Sequence, residues 1–369
     1  MKQDLHSMWS EAISGNGSVA VWRLPHTDQI HFLADMSEQP SSGMLDIDKS
    51  GFGFAVSPFL NSDGSETLFL KDDVYAVFSA DELCDFREPA AYHVGSCLNI
   101  DVSGSREHFI KMVESGIASI ADSKFDKVVP ARTLDRTLAD SFNLLKLLAE
   151  MSAAYPNAFV SLISIPEIGT WMGATPELLI ESTSQHFRTV SLAGTQAFVE
   201  GMDLSAAAWT QKEIEEQAMV SRYVVDQFKT IRLRKFMEKG PRTIRAGSMI
   251  HLKSEYYVDL DEVEFVDLGS TMLRLLHPTS AVCGMPREAA LKFIIENESM
   301  NRELYSGFLG PVNMDGETQL YVNLRCMQLL ERTAVLYAGA GVTHDSNLGK
   351  EWDETTLKCH TLLDLFNHE

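Results

Sequence analysis

Basic charge is what this sequence has least of. Lys and Arg number 31 against 52 Asp and Glu, a net charge of −21 at neutral pH. Duplex nucleic acid is bound by Lys and Arg that displace counterions from phosphates, so that class of partner is excluded. Docking on anionic lipid is excluded for the same reason. Cysteine is sparse as well: Cys84, Cys97, Cys283, Cys326 and Cys359 form an odd, scattered set without a CxxC pair. A disulfide framework or a thiolate zinc site is not expected of them, and each reads as structural. Cys359 and His360 are neighbours, but adjacent helix positions point in different directions and make a poor chelate. No run reaches the ~18 apolar residues that a membrane span requires. The opening MKQDLHSMWSEAIS lacks the basic flank and apolar core of a secretion signal, so a cytoplasmic protein is expected. There is no internal repeat and no Pro/Gly/Ser linker. At about 100–200 residues per domain, the 369 residues make two domains or one large α/β or α+β domain. Any anionic substrate must be bound against the overall field.

The first hundred residues carry short β-like runs at 19–22, 30–33, 52–56 and 68–70, separated by polar loops at 37–43 and 61–66. From Ser105 the texture turns helical, with Phe109, Val113, Ile117 and Ile120 on one face, predicting a helix over 105–122. A strand over 125–132, a helix over 141–155 and strands over 157–164, 169–174 and 177–183 follow. The run 206–239 reads as one long helix stopped by Gly240-Pro241. Strands near 256–266 lead to a short helix ending at Leu276, and another helix spans 287–297. Over 319–326 Leu320, Val322, Leu324 and Cys326 alternate with Tyr321, Asn323 and Arg325, and a turn at 331–333 closes a hairpin. A last helix covers 350–366. Strand runs broken by helices favour α+β with a mostly antiparallel sheet.

Several residues offer chemistry, each with a plainer alternative. Lys127, between apolar neighbours on a strand, is a base if buried, because burial lowers a lysine's pKa; an edge lysine facing water fits equally. Glu177 enters the apolar strand PELLI, where a carboxyl can keep its proton near neutrality; a solvated turn glutamate fits too. Glu213 and Glu216 share one helix face, as do Glu351, Glu354 and Lys358. Two such faces would suit Mg²⁺, which takes one or two carboxylates plus waters and substrate; solvated faces are the alternative. Gly194, in LAGT, can admit a ligand close to backbone, and Gly339-Ala340-Gly341 can admit an anion to backbone amides. His251 and His277 have no readable partner.

The order and spacing of these features together resemble the chorismate-binding enzymes, the family of isochorismate, salicylate, anthranilate and aminodeoxychorismate synthases. The resemblance runs from about residue 105 to 366. It rests on KVVPAR (127–132), ATPELLIE (174–181), LAGT (192–195), KEIEEQAMV (212–220), LLHPTSAVCG (275–284), RELYSGFLG (302–310), VNLRC (322–326), YAGAGV (337–342) and EWDETTLK (351–358). It implies a single large α+β domain of two stacked, mostly antiparallel sheets with helices outside and a deep cleft between them. Residues 105–369 would be the chorismate-binding catalytic region and 1–104 a strand-rich part of the same fold.

By the same resemblance Lys127 is the general base, as in members that add water; members that add ammonia carry glutamine there. Glu177 is the general acid. Glu216 and Glu354 hold Mg²⁺, with Glu213 and Glu351 as outer or water-mediated partners. Arg325 clasps the enolpyruvyl carboxylate, with Tyr305 and Leu324 beside it. Gly194, Thr195 and Gly339 present backbone to the substrate, Lys358 supports the ring-carboxylate end, and His251 lines the ring. The implied reaction is Mg²⁺-dependent conversion of chorismate to isochorismate. Salicylate synthesis is the nearest alternative and a non-catalytic chorismate binder the next. A monomer without an amidotransferase subunit is expected, serving menaquinone or siderophore synthesis. Two departures stand out. Pro130 replaces the usual leucine and should end the strand or put it at an edge, and Glu298-Ser299-Met300-Asn301 replaces a Glu-Pro-Phe-x stretch. The first hundred residues match weakly and show no amino-acid feedback motif.

Overall fold

The strand Phe159–Ile165 shows how the layers form. Every residue in it is buried. Phe159, Ile163 and Ile165 point one way into a cluster shared by two sheets, while Val160 and Leu162 point the other way into a cluster with the helix Leu144–Ala154. Side chains alternate along a strand, so a strand buried on both faces must be apolar at almost every position. The computed structural model describes residues 4–61, 66–83, 88–95, 104–247 and 249–368. Its layers are helices, sheet, sheet and helices, an α+β domain as the sequence implies.

The first sheet has eight strands in the order Val74–Ser79, Gln29–Asp35, Ser18–Arg23, Phe159–Ile165, Gly169–Thr175, Cys326–Leu329, Thr333–Gly339, Ala131–Thr137. The second has nine: Met237–Ala246, Met249–Asp259, His186–Ala197, Leu178–Ser182, Thr318–Val322, Phe308–Val312, Gly53–Ser57, Thr67–Lys71, Ser41–Gly43. Strands from the first hundred residues thus take places in both sheets. Between the sheets Phe159 and Tyr321 stack at 4.2 Å. Helices Leu5–Ser14, Leu144–Ala154 and Leu348–Leu363 cover the first sheet; Arg106–Ala121, Gln211–Thr230, Leu268–Leu276 and Arg287–Asn297 cover the second. The buried Cys283, Cys326 and Cys359 are free thiols in these cores, while Cys84 and Cys97 lie outside the described residues.

Three expectations change. The helix predicted over 206–239 runs only from Gln211 to Thr230. Thr210 and Glu213 form a capping box at its start. At its end Arg232 takes a left-handed conformation (φ 59°) and the amide of the buried Leu233 donates back to Phe228. The helix-prone residues that follow enter the edge strand Met237–Ala246, because pairing with Met249–Asp259 satisfies their backbone; Gly240-Pro241 sits at an irregularity in that pairing. The strands expected near 256–266 correspondingly lie earlier, at Met249–Asp259. The alternating run 319–326 is two strands in different sheets, broken at 323–325.

That break has a neighbour. The chain passes from the first sheet to the second at Pro176-Glu177 and back at 323–325, and the two crossings are bonded side by side. The amide of Val322 donates to the Glu177 carbonyl (2.9 Å), the Thr175 hydroxyl to the Val322 carbonyl (2.7 Å) and the Ala174 amide to the Arg325 carbonyl (3.1 Å). A strand that switches sheets opens a gap between them, and the residues at the switch face it.

Pro130 ends one strand as expected: Lys127–Val128 pairs separately with Gly284–Met285, and Ala131–Thr137 joins the first sheet. The replaced stretch at 298–301 braces this break. Glu298 accepts from the Ala131 amide (2.8 Å), and the buried Arg302 pairs with Glu298 (2.5 Å) while donating to the carbonyls of Val129 (2.6 Å) and Val282 (2.9 Å). Removing one partner of a buried pair strands the other charge, at about 3–5 kcal/mol. Arg302→Met should lose about that much in urea unfolding; a loss below about 1 kcal/mol would contradict the brace.

Candidate active site

The two crossings place Glu177 and Leu324-Arg325 in a cleft between the sheets that opens to solvent. Arg325 holds φ at 49°, a left-handed conformation costly for a residue with a Cβ and of a kind that clusters at functional sites. Its guanidinium is buried, and its recorded side-chain hydrogen bond goes to the thioether of Met249 at 3.6 Å. A buried arginine with so weak a partner is suited to receive a carboxylate in a forked contact.

Glu177 is buried, and burial pushes its pKa up to about 7 against the lowering fields of Lys127, Lys358 and Arg325. It therefore carries a proton over much of the neutral range and is fit for a general acid. His251 Nδ1 donates to the Gly194 carbonyl at 2.7 Å, and since a carbonyl only accepts, Nδ1 carries the proton. Burial, helped by Arg325, depresses its pKa to about 3, so the ring is neutral and its buried Nε2, which has no partner, is an acceptor. Gly194 lies at a bulge between Ala193 and Gln196 with φ 70°, and its backbone turns into the cleft with Thr195.

Lys127 is wholly buried on its short strand, which settles its alternatives against the solvent-facing edge position. Its Nζ lies 2.9 Å from Glu216 Oε1, close enough for an ion pair but outside hydrogen-bonding geometry. Gly341 makes that approach possible: a Cβ there would stand 2.3 Å from Glu216 Oε1 and 3.2 Å from Lys127 Cε. Lys358 donates to the Gly339 carbonyl (2.8 Å) and pairs with Glu354 (2.7 Å). Although burial opposes it, Lys358 and its basic neighbours hold Glu354 below the usual carboxylate range. Tyr305 is buried in the wall and stacks on Tyr337 at 5.4 Å, and burial pushes its phenol pKa well up.

Thr195, Glu216 and Glu354 also line a wider outer cleft with Lys212, Glu213 and Glu351. Glu351 is almost wholly buried, with one oxygen paired to Lys212 and the other, Oε2, without a partner. Burial and the nearby Glu354 raise its pKa against the pull of Lys212. Among the described residues no three of His, Cys, Asp and Glu form a ready cluster. What the wall offers is carboxylate oxygen, one atom of it orphaned, which fits a hard divalent cation. Glu213 is not brought to the inner cleft; its carboxylate accepts from the Thr210 amide (2.7 Å) and from Gln196 (3.0 Å).

Sequence reasoning missed Lys212, Tyr337 and the Glu298–Arg302 brace. One was readable: Lys212 is four residues before Glu216, hence on the same helix face. Tyr337 and the brace depend on contacts distant in sequence.

A family profile described as "Chorismate binding enzyme" matches residues 83–367. The chain belongs to the chorismate-binding enzymes. It is 29% identical over 263 residues to isochorismate synthase EntC of Escherichia coli, covering 70% of this chain and 66% of that protein, just under two thirds of its length. It is 30% identical over 268 residues to isochorismate synthase DhbC of Bacillus subtilis, covering 70% and 67%. Its fold matches that of MenF, the menaquinone-specific isochorismate synthase from Escherichia coli, with a TM-score of 0.78 at 20% identity over 99% of this chain and 92% of the other. Anthranilate synthase component I from Streptococcus pneumoniae also matches, with a TM-score of 0.66 at 18% identity over 98% and 86%. The scaffold is common to both, so the side chains must distinguish the reactions.

Glu177 yields a prediction independent of activity. Below about pH 4.5 it is protonated folded and unfolded; as pH rises, only the unfolded chain ionises it until the folded pKa near 7 is reached, so stability falls across that window. Glu177→Gln should therefore stabilise the protein above pH 7 by on the order of 3 kcal/mol, the gain vanishing near pH 4.5. Thermal melts at pH 8 and 4.5 check this; an equal effect at both values would contradict the buried-acid reading.

Proposed function

We propose that this protein is an isochorismate synthase, converting chorismate to isochorismate with Mg²⁺. The observation that carries the reading is a buried, largely protonated glutamate on the cleft wall with a fully buried lysine directly behind Glu216 and Gly341, which line the same cleft. A lysine at position 127, behind the cleft wall, supports addition of water rather than ammonia, and the resemblance to isochorismate synthases supports the same choice.

Arg325 would clasp the enolpyruvyl carboxylate, flanked by Leu324 and Tyr305, while the neutral His251 accepts from a hydroxyl at the ring. Lys127 acts in its neutral form, having first given up the proton that makes it a cation in the free cleft; its Nζ then takes a proton from the water that adds at ring C2. Glu177 gives its proton to the C4 hydroxyl, which departs as water while the ring double bonds shift. Glu216 and Glu354, with Glu351 beside them, would hold Mg²⁺, which when bound neutralises and orients the ring carboxylate. Gly194, Thr195 and Gly339 supply backbone to the walls, and Lys358 supports the carboxylate end. Neither catalytic group forms a covalent intermediate, so positioning contributes much of the rate. None of the described helices is long and apolar enough to cross a membrane. We place the enzyme in the cytoplasm as a monomer without an amidotransferase subunit, its product serving menaquinone or siderophore synthesis.

Incubation with chorismate and Mg²⁺ should accumulate isochorismate, followed by chromatography; stoichiometric salicylate and pyruvate, or no turnover, would overturn the proposal. Lys127→Ala should lower kcat by about 10²–10⁴-fold, and normal turnover by that variant would refute its assignment as base.

A further inference from the structure

Three carboxylates at the wall between the two clefts are matched by lysines: Glu216 by Lys127, Glu354 by Lys358 and, on the outer side, Glu351 by Lys212. Lys358 lines the inner cleft and Lys127 lies directly behind its Glu216 and Gly341, where the proposed reaction uses both. Lys212 has no such use there: it lines only the outer cleft, on the first turn of its helix. Its ammonium is mostly buried and lies in the fields of Glu351, Glu216 and Glu354 together. The carboxylate it holds is the one whose second oxygen is buried without a partner. Two cations cannot share that carboxylate at close range without repulsion in a poorly solvated site.

We propose that Lys212 is a built-in competitor of the divalent cation, an internal counter-ion on Glu351 that must be displaced before the metal can use that carboxylate. The inference rests on the reading of this wall as a metal site. It makes Lys212 a positioning residue that sets metal affinity through Glu351. Without a divalent ion, Lys212 keeps Glu351 compensated. With one, Lys212 must swing toward the outer cleft, where its chain is already partly exposed. Removing the ammonium therefore costs the free protein some stability but frees the carboxylate for metal, opposite to the usual effect of altering a residue at a binding site.

The test is Mn²⁺ binding to the full-length protein without substrate, read by electron paramagnetic resonance. Lys212→Met should tighten the dissociation constant roughly tenfold, the equivalent of about 1.4 kcal/mol, and Lys212→Gln, which keeps a polar chain, should do likewise. Lys212→Arg should stay near wild type. The gain should disappear when Glu351→Gln is already present, so that Lys212→Met with Glu351→Gln binds no better than Glu351→Gln alone. Unchanged or weaker Mn²⁺ binding by both neutral variants, or a gain that survives Glu351→Gln, would overturn the proposal. Failure of the proposed reaction shows separately, as absent chorismate turnover by the wild-type protein whatever these variants do to Mn²⁺.

Discussion

The bonded pair of chain crossings, one at Pro176-Glu177 and one at 323–325, is the constraint on which the site depends. Packed sheets leave little room between them, and here the room opens where two strands change sheet together. The hydrogen bonds joining Thr175 to Val322 and Ala174 to Arg325 fix the crossings to each other. The acid and the anion-binding arginine are thereby set on one rigid corner, not on separate loops. The left-handed backbone at Arg325 is the local strain that this corner sustains.

Around that corner, burial of charge decides each group's state. Glu177 keeps its proton because desolvation outweighs three nearby cations. Glu354, partly exposed at the same wall, loses its proton because Lys358 sits against it at 2.7 Å. Two glutamates a short way apart are thus driven in opposite directions, one toward proton donation and one toward holding a cation. A net charge of −21 describes the surface and the choice of partners; it does not describe this cleft, where Arg325 and Lys358 line the wall and Lys127 lies behind Glu216.

Much of this was legible in the sequence. The layered α+β fold followed from the order of motifs, and the inner-cleft residues Glu177, Gly194, Thr195, Glu216, His251, Tyr305, Leu324, Arg325, Gly339, Glu354 and Lys358 do line one cavity. What escaped notice depended on tertiary hydrogen bonding. Met237, Glu238 and Lys239 are helix-favouring, yet their backbone is satisfied by the neighbouring strand, and Thr210 with Glu213 marks the helix start more firmly than the apolar periodicity did. Glu213, expected from the resemblance as an outer or water-mediated partner of the metal, lines the outer cleft while its carboxylate also closes the helix cap. Alternation through Val322-Leu324-Cys326 suggested one strand because periodicity cannot register a change of sheet.

The central claim is that the cleft adds a water molecule at C2 while an internal acid expels the C4 hydroxyl. Turnover of chorismate in H₂¹⁸O, with the product analysed by mass spectrometry, tests it most directly. The account predicts isochorismate carrying one ¹⁸O atom at the C2 hydroxyl. Isochorismate formed without label, its hydroxyl moved within the substrate, would contradict it.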